Sequence, residues 1–160
     1  MTSSKSVTIA CFVTNHGFGH AARSSAVLKA LQTIIPALDI HIFTQVPEWF
    51  FTQTLDKGFT YHDCFTDVGI FQTTPLDENI PATIQKLNLL LPPDESYLSS
   101  ISKELTNLNC RFVLSDISPI GILAGNQACI PTVLQENFTW DWIYKGYVDK
   151  YPDLQKYIQP

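Results

Sequence analysis

Arginine is nearly missing from this sequence. Of ten cationic side chains, two are arginines, Arg23 and Arg111, and charged residues make up 16% of the chain. Fifteen acidic residues give a formal net charge of −5. No basic stripe is present to neutralise phosphates, which argues against a nucleic-acid partner. No apolar run approaches the roughly 20 residues needed to cross a bilayer. The apolar stretch Val7–Val13 after Lys5 is short, lacks a small-residue cleavage pattern and is soon followed by His16 and His20. It reads as a buried strand and not as a signal peptide, and the chain reads as cytoplasmic. No two cysteines stand at C-x-x-C spacing: Cys11, Cys64, Cys110 and Cys129 are scattered, three of them in or beside strand-like runs. They read as reduced core thiols.

The 160 residues are 45% hydrophobic, which fits one domain, 1–160, able to bury roughly 70% of its unfolded surface. Val7–Thr14 is a near-continuous apolar run, as a strand covered on both faces requires. Val27, Leu28, Leu31, Ile34 and Ile35 follow at helical spacing and Pro36 stops them. Ile40–Thr44 and Phe59–Phe65 read as strands, with a helix from Pro47 to about Lys57 between them and Gly58 as its stop. Thr66–Asn79 has no clean period and reads as a long loop. Two helices follow, one opened by Pro81 with Ile80, Ile84, Leu87 and Leu91 on its stripe, the next carrying Leu98, Ile101, Leu105 and Leu108. Arg111–Ser115, ending at Asp116, reads as the fourth strand. Ser118-Pro119 is a cap and first-turn proline for a helix through about Ala128. Pro131–Leu134 begins a fifth strand.

Strands alternating with helices point to an α/β, Rossmann-like three-layer sandwich: a parallel sheet of at least five strands with helices on both faces. In the strand order 3-2-1-4-5, the first and fourth strands meet at the topological switch point, where ligands bind at the carboxyl edge. This places the loop holding Gly17–His20 beside Asp116.

That loop reads Asn15-His16-Gly17-Phe18-Gly19-His20-Ala21-Ala22-Arg23-Ser24. Two glycines let the backbone turn tightly and approach a ligand. A third glycine is missing from the dinucleotide pattern, where Ala22 stands, and no acid closes the second strand to hold a ribose. There is no G-K-[ST] either. His16 and His20 are four apart, but the glycines between them work against helical metal-ligand geometry, and no metal is expected. A carboxylate at Asp116 needs a partner if buried, and His20 at the start of a helix is placed to supply it. An aspartate behind an imidazole sets its tautomer and makes it a general base. Arg23 is the cation of this loop and helix start, suited to attract an anion together with the helix N-terminus.

Val7–Ala30 with Gly17-Phe18-Gly19-His20 resembles the first strand–loop–helix of GT-B glycosyltransferases. Arg111–Leu134, with Ser115-Asp116 and Cys129-Ile130-Pro131-Thr132-Val133, resembles their fourth-to-fifth strand segment. A narrower likeness joins His16–Arg23 to Asn137-Phe138-Thr139-Trp140-Asp141-Trp142-Ile143-Tyr144: both look like the glycosyltransferase-like half of arabinokinase-type proteins. The resemblance implies His20 as the base that deprotonates an acceptor hydroxyl and Asp116 as the group that orients it. His16, Gly17, Phe18, Gly19 and Arg23 are expected to line the substrate. It implies a small-molecule or glycoconjugate acceptor and no cofactor in this chain. The nucleotide-sugar donor is expected on a missing C-terminal domain or partner subunit.

Two function classes stay open: the acceptor-side half of an inverting glycosyltransferase, and a non-catalytic ligand-binding or regulatory module on the same scaffold. A dinucleotide enzyme is a third, weaker reading. The chain alone is expected to be inactive in glycosyl transfer, because one half lacks the groups for the leaving nucleotide diphosphate. Phe138, Trp140, Ile143, Tyr144, Tyr147 and Tyr151 include a helix-spaced aromatic set, from which self-association through the segment after Asn137 is expected.

Overall fold

Val7–Val13 forms β1, in the middle of a five-stranded parallel sheet. The structure is a computed structural model and describes residues 6–56 and 58–158. It has two compact units. One holds the described residues up to Asp67 together with Glu95–Gln135; the other holds Val68–Asp94 and the described residues from Glu136 on.

In the first unit, α1 (Phe18–Ile34) leads from β1 to β2 (Leu38–Thr44), and α2 (Glu48–Thr54) to β3 (Thr60–Asp63). After the second unit's insertion come α4 (Glu95–Asn107), β6 (Phe112–Asp116), α5 (Pro119–Gln127) and β7 (Thr132–Gln135). The strand order is β3-β2-β1-β6-β7, the order expected from the sequence. β1 is buried on both faces because its alternate residues serve two cores. Ile9, Cys11 and Val13 pack with Leu28, Ile40, Ile42 and Phe51 on one side. Ala10 and Phe12 pack with Phe43, Leu105, Val113 and Ile120 on the other. Phe12 stacks on Phe43 with centroids 4.6 Å apart. Fully burying such a ring contributes about 2–3 kcal/mol, so the two-sided strand is the structural keel of the unit.

Ser118 caps α5 as its sequence implies, accepting from the Gly121 amide at 3.1 Å. Gly121 permits close approach: a Cβ there would stand 2.7 Å from Phe12 and 2.8 Å from Ser115 Oγ. α2 is shorter than expected. It ends at Thr54, Leu55 is extended, and Gly58 plays no part in ending it. The nearly buried Leu55 turns into the core there. The expected end at Lys57 lies outside the described residues. Of the cysteines, Cys11, Cys64 and Cys110 are buried; Cys129 is exposed at a left-handed position (φ 55°) and is not a core thiol.

In the second unit, the stretch expected as plain loop contains a small hairpin, β4 (Gln72–Thr74) and β5 (Asp77–Glu78). Its turn is closed by Thr74 Oγ1 donating to Asp77 at 2.7 Å. Strands this short are too brief to show a period. α3 (Ile80–Leu90) starts where expected, with Asn79 as its cap. The long aromatic helix does not form. α6 spans Trp140–Lys145, and from Gly146 the backbone tightens to i→i−3 bonds (Gly146 to Ile143, Tyr147 to Tyr144). A 3₁₀ turn, Pro152–Tyr157, follows. Glycine weakens the helix and Pro152 stops its continuation. Among the described residues, no helix is long and apolar enough to cross a membrane.

Candidate functional site

β1 ends at Val13, and the parallel register sets Val13 beside Asp116 on β6 and Asp116 beside Gln135 on β7. The chain leaves β1 through Thr14, whose amide bonds the Asp116 carbonyl at 3.3 Å. The Val13 carbonyl takes two hydroxyls, Thr44 Oγ1 at 2.7 Å and Thr66 Oγ1 at 3.2 Å. Backbone groups at this edge are thus tied down by β2 and the segment after β3.

Gly17 turns the loop into α1 with φ 91°, a conformation that disfavours any side chain. A Cβ at Gly19 would meet nothing within 4 Å, so its bareness serves no packing need; it leaves the backbone open beside His20. On α1, His20, Arg23 and Ser24 share one face by the i, i+3, i+4 rule. That face meets Asp116, which has no solvent exposure.

The carboxylate is the hub. Asp116 Oδ1 lies 2.9 Å from His20 Nδ1 and accepts from Arg23 Nη2. Oδ2 accepts from Arg23 Nε at 3.0 Å, Ser24 Oγ at 2.9 Å and Gln135 Nε2 at 2.9 Å. Burial pushes the Asp116 carboxyl up, but the hydrogen bonds from His20, Arg23 and Ser24 and the Arg23 charge outweigh it and hold the group below its ordinary value. The bond to Asp116 raises the Arg23 guanidinium in turn. Burial, then the nearby His20, lower the His16 imidazole. Cys11 behind the carboxylate is an inert thiol, pushed far up by burial and then by the Asp116 charge.

The expected site residues therefore fall into two groups. His20 and Asp116 meet directly. His16 is half-buried in the loop, its amide on Thr14 Oγ1 at 3.2 Å, while Gly17, Phe18 and Gly19 lie at the exposed surface. Arg23, expected to attract an anion, sets its Nε and Nη2 on the Asp116 carboxylate. Three residues were missed. Ser24 was legible as the i+4 neighbour of His20. Gln135 closes the strand that Pro131–Leu134 was expected to begin, and no local pattern marks its side chain as a partner of Asp116. Trp49, 53% exposed, sits 5.7 Å from the Phe18 ring, with Phe50 stacked on Phe18 at 5.2 Å; no local pattern announces that convergence. Among the described residues, no group of three or more His, Cys, Asp or Glu is arranged to hold a metal ion.

No family model matches the chain. It is 32% identical over 148 residues to L-arabinokinase of Arabidopsis thaliana, a match that takes in 91% of this chain and 14% of that protein. Among solved structures it resembles CalG4, the calicheamicin glycosyltransferase, with a TM-score of 0.58 and 16% identity over 92% of this chain and 38% of that one. It also resembles UGT2 of Phytolacca americana, solved with UDP-2-fluoro-glucose and pterostilbene, with a TM-score of 0.52 and 12% identity over 97% of this chain and 35% of that one. Identities this low speak for the fold alone: the chain has the α/β Rossmann-like fold found in these GT-B glycosyltransferases.

Proposed function

We propose that this chain is the acceptor-binding half of an inverting, nucleotide-sugar-dependent glycosyltransferase, with His20 as general base. The reading is carried by one observation, the 2.9 Å contact between His20 Nδ1 and the buried Asp116 at the switch-point edge. With Nδ1–H on the carboxylate, Nε2 holds the lone pair. An acceptor hydroxyl gives its proton to Nε2, and its oxygen forms the new bond to the anomeric carbon. The bond to the nucleotide diphosphate breaks on the opposite face, and the leaving group keeps the electron pair. The donor belongs to a second domain, in keeping with the third or so of the neighbours' length that this chain spans. Exposed Phe18 and the bare Gly19 backbone offer the acceptor an apolar face and open backbone.

A second reading, a sugar-binding module without catalysis, is favoured by two observations. Asp116 has three partners besides His20, so its charge is not held for an imidazolium alone. The curated relative carries a kinase name, which puts a free pentose among the ligands to try. The experiment uses the full-length parent polypeptide. His20→Ala is expected to lower glycosyl transfer by about 100-fold or more. Unchanged turnover with weakened binding of a free sugar, read by calorimetry, decides for the module.

A further inference from the structure

His20 Nδ1 has two neighbours of opposite character. Asp116 Oδ1 at 2.9 Å can only accept, and Arg23 Nη2 at 3.2 Å can only donate. The ring nitrogen answers one of them. The shorter contact and the ionised acceptor favour Nδ1–H on Oδ1. The arrangement also settles charge. Asp116 is fully buried and needs a cation, and two candidates reach it. Arg23 takes it with a two-pronged grip, Nε on Oδ2 and Nη2 on Oδ1. Ser24 and Gln135 complete Oδ2, so rotating the carboxylate would break contacts at both of its oxygens.

We propose that Arg23 is a positioning residue for His20: as the counter-ion of Asp116 it leaves the imidazole neutral, with its proton on Nδ1 and its lone pair on Nε2. The use of that lone pair in catalysis rests on the function proposed above; the charge arrangement does not. The titratable and charged groups around the ring and its carboxylate include Asp116 on β6, Arg23 on α1, His16 in the preceding loop and, toward Asp116, the Cys11 thiol on β1, with Ser24 and Gln135 as neutral donors to Asp116. Take Arg23 away and His20 becomes the cation within reach of the buried carboxylate.

The test is nitrogen-detected NMR of the imidazole ring in the folded 160-residue chain. In the unaltered protein at about pH 7, His20 is expected to be neutral with the proton on Nδ1. In Arg23→Met the ratio of neutral to protonated ring is expected to fall by about tenfold or more. Arg23→Lys restores a charge and is expected to restore the neutral ring, while Gln135→Met, which removes a neutral donor, is expected to leave it neutral. A protonated ring or an Nε2–H tautomer in the unaltered chain overturns the proposal, as does an unchanged ring in Arg23→Met. If Arg23→Met does not fold, the unaltered chain and Arg23→Lys decide: a protonated His20 in either one overturns it. A silent His20→Ala in turnover removes the general base and leaves this charge arrangement standing, so the two failures are distinct.

Discussion

Asp116 keeps no contact with solvent, yet its carboxyl is held below its ordinary value rather than above it. Burial works in one direction; the donors on α1 work in the other and win. The native state therefore binds the Asp116 proton less readily than the unfolded chain does. Its contribution to stability is present above the unfolded value, about pH 4, and is lost as the pH falls through the lower native value. Asp116→Asn is expected to lower stability by about 2–3 kcal/mol at neutral pH, because it leaves Arg23 without its charge partner. The same variant is expected to show a flatter loss of stability in acid. Urea midpoints measured between about pH 3 and 7 check both; an equally steep acid limb in the variant removes Asp116 as its cause.

At the scale of elements, β2 and β3 are joined by more than their ladder. His41 Nδ1 lies 2.8 Å from His62 Nε2, and His62 Nδ1 lies 2.9 Å from Glu104 on α4. The His62 ring also stacks on Phe43 at 4.1 Å. Burial, opposed by Glu104 and aided by His41, lowers the His62 imidazole. A lowered imidazole means that the unfolded chain takes the proton more readily. The neutral ring's contribution is complete above about pH 6.5 and is lost as the pH falls toward the native value. Thermal stability is therefore expected to fall as the pH drops from about 7 to 5, and His62→Phe, which keeps the stacked ring, is expected to flatten that change. A variant with the full pH dependence of the parent assigns it elsewhere.

On the scale of the whole molecule, large apolar side chains remain in water. In the second unit Leu76 is 89% exposed, Leu89 82% and Trp142 66%. The aromatic segment is only partly outward: Trp140 and Tyr144 are buried, and the Tyr144 hydroxyl donates to the Gly69 carbonyl at 2.9 Å. Trp142, which was not in the aromatic set expected to drive association, is the exposed ring of this segment. Exposed apolar surface favours association. The chain is expected to self-associate as its concentration rises, and Trp142→Gln to shift that transition upward several-fold in concentration. Sedimentation showing a monomer at all accessible concentrations ends the idea.

How much of this was legible beforehand depends on what each feature needs. The order of the five strands, the uncharged β1 and the Ser118 cap were written in neighbouring residues. Apolar runs, turn residues and capping chemistry act over a few positions, and the handedness of parallel connections does the rest. The meeting of His20 with Asp116 was also within reach, because a switch point brings those two loops together whatever the side chains are. Other features were not. Ile117, directly after Asp116, is left-handed at φ 46° and buried, although a branched side chain resists that conformation. The two-pronged grip of Arg23 on Asp116, the Gln135 amide beside it and the Phe18–Trp49 pair depend on distances between residues remote in sequence. Local chemistry along the chain determined the elements and their order; the partner each polar side chain takes was decided only by packing, because a buried charge is satisfied by whichever donor the fold brings within hydrogen-bond reach.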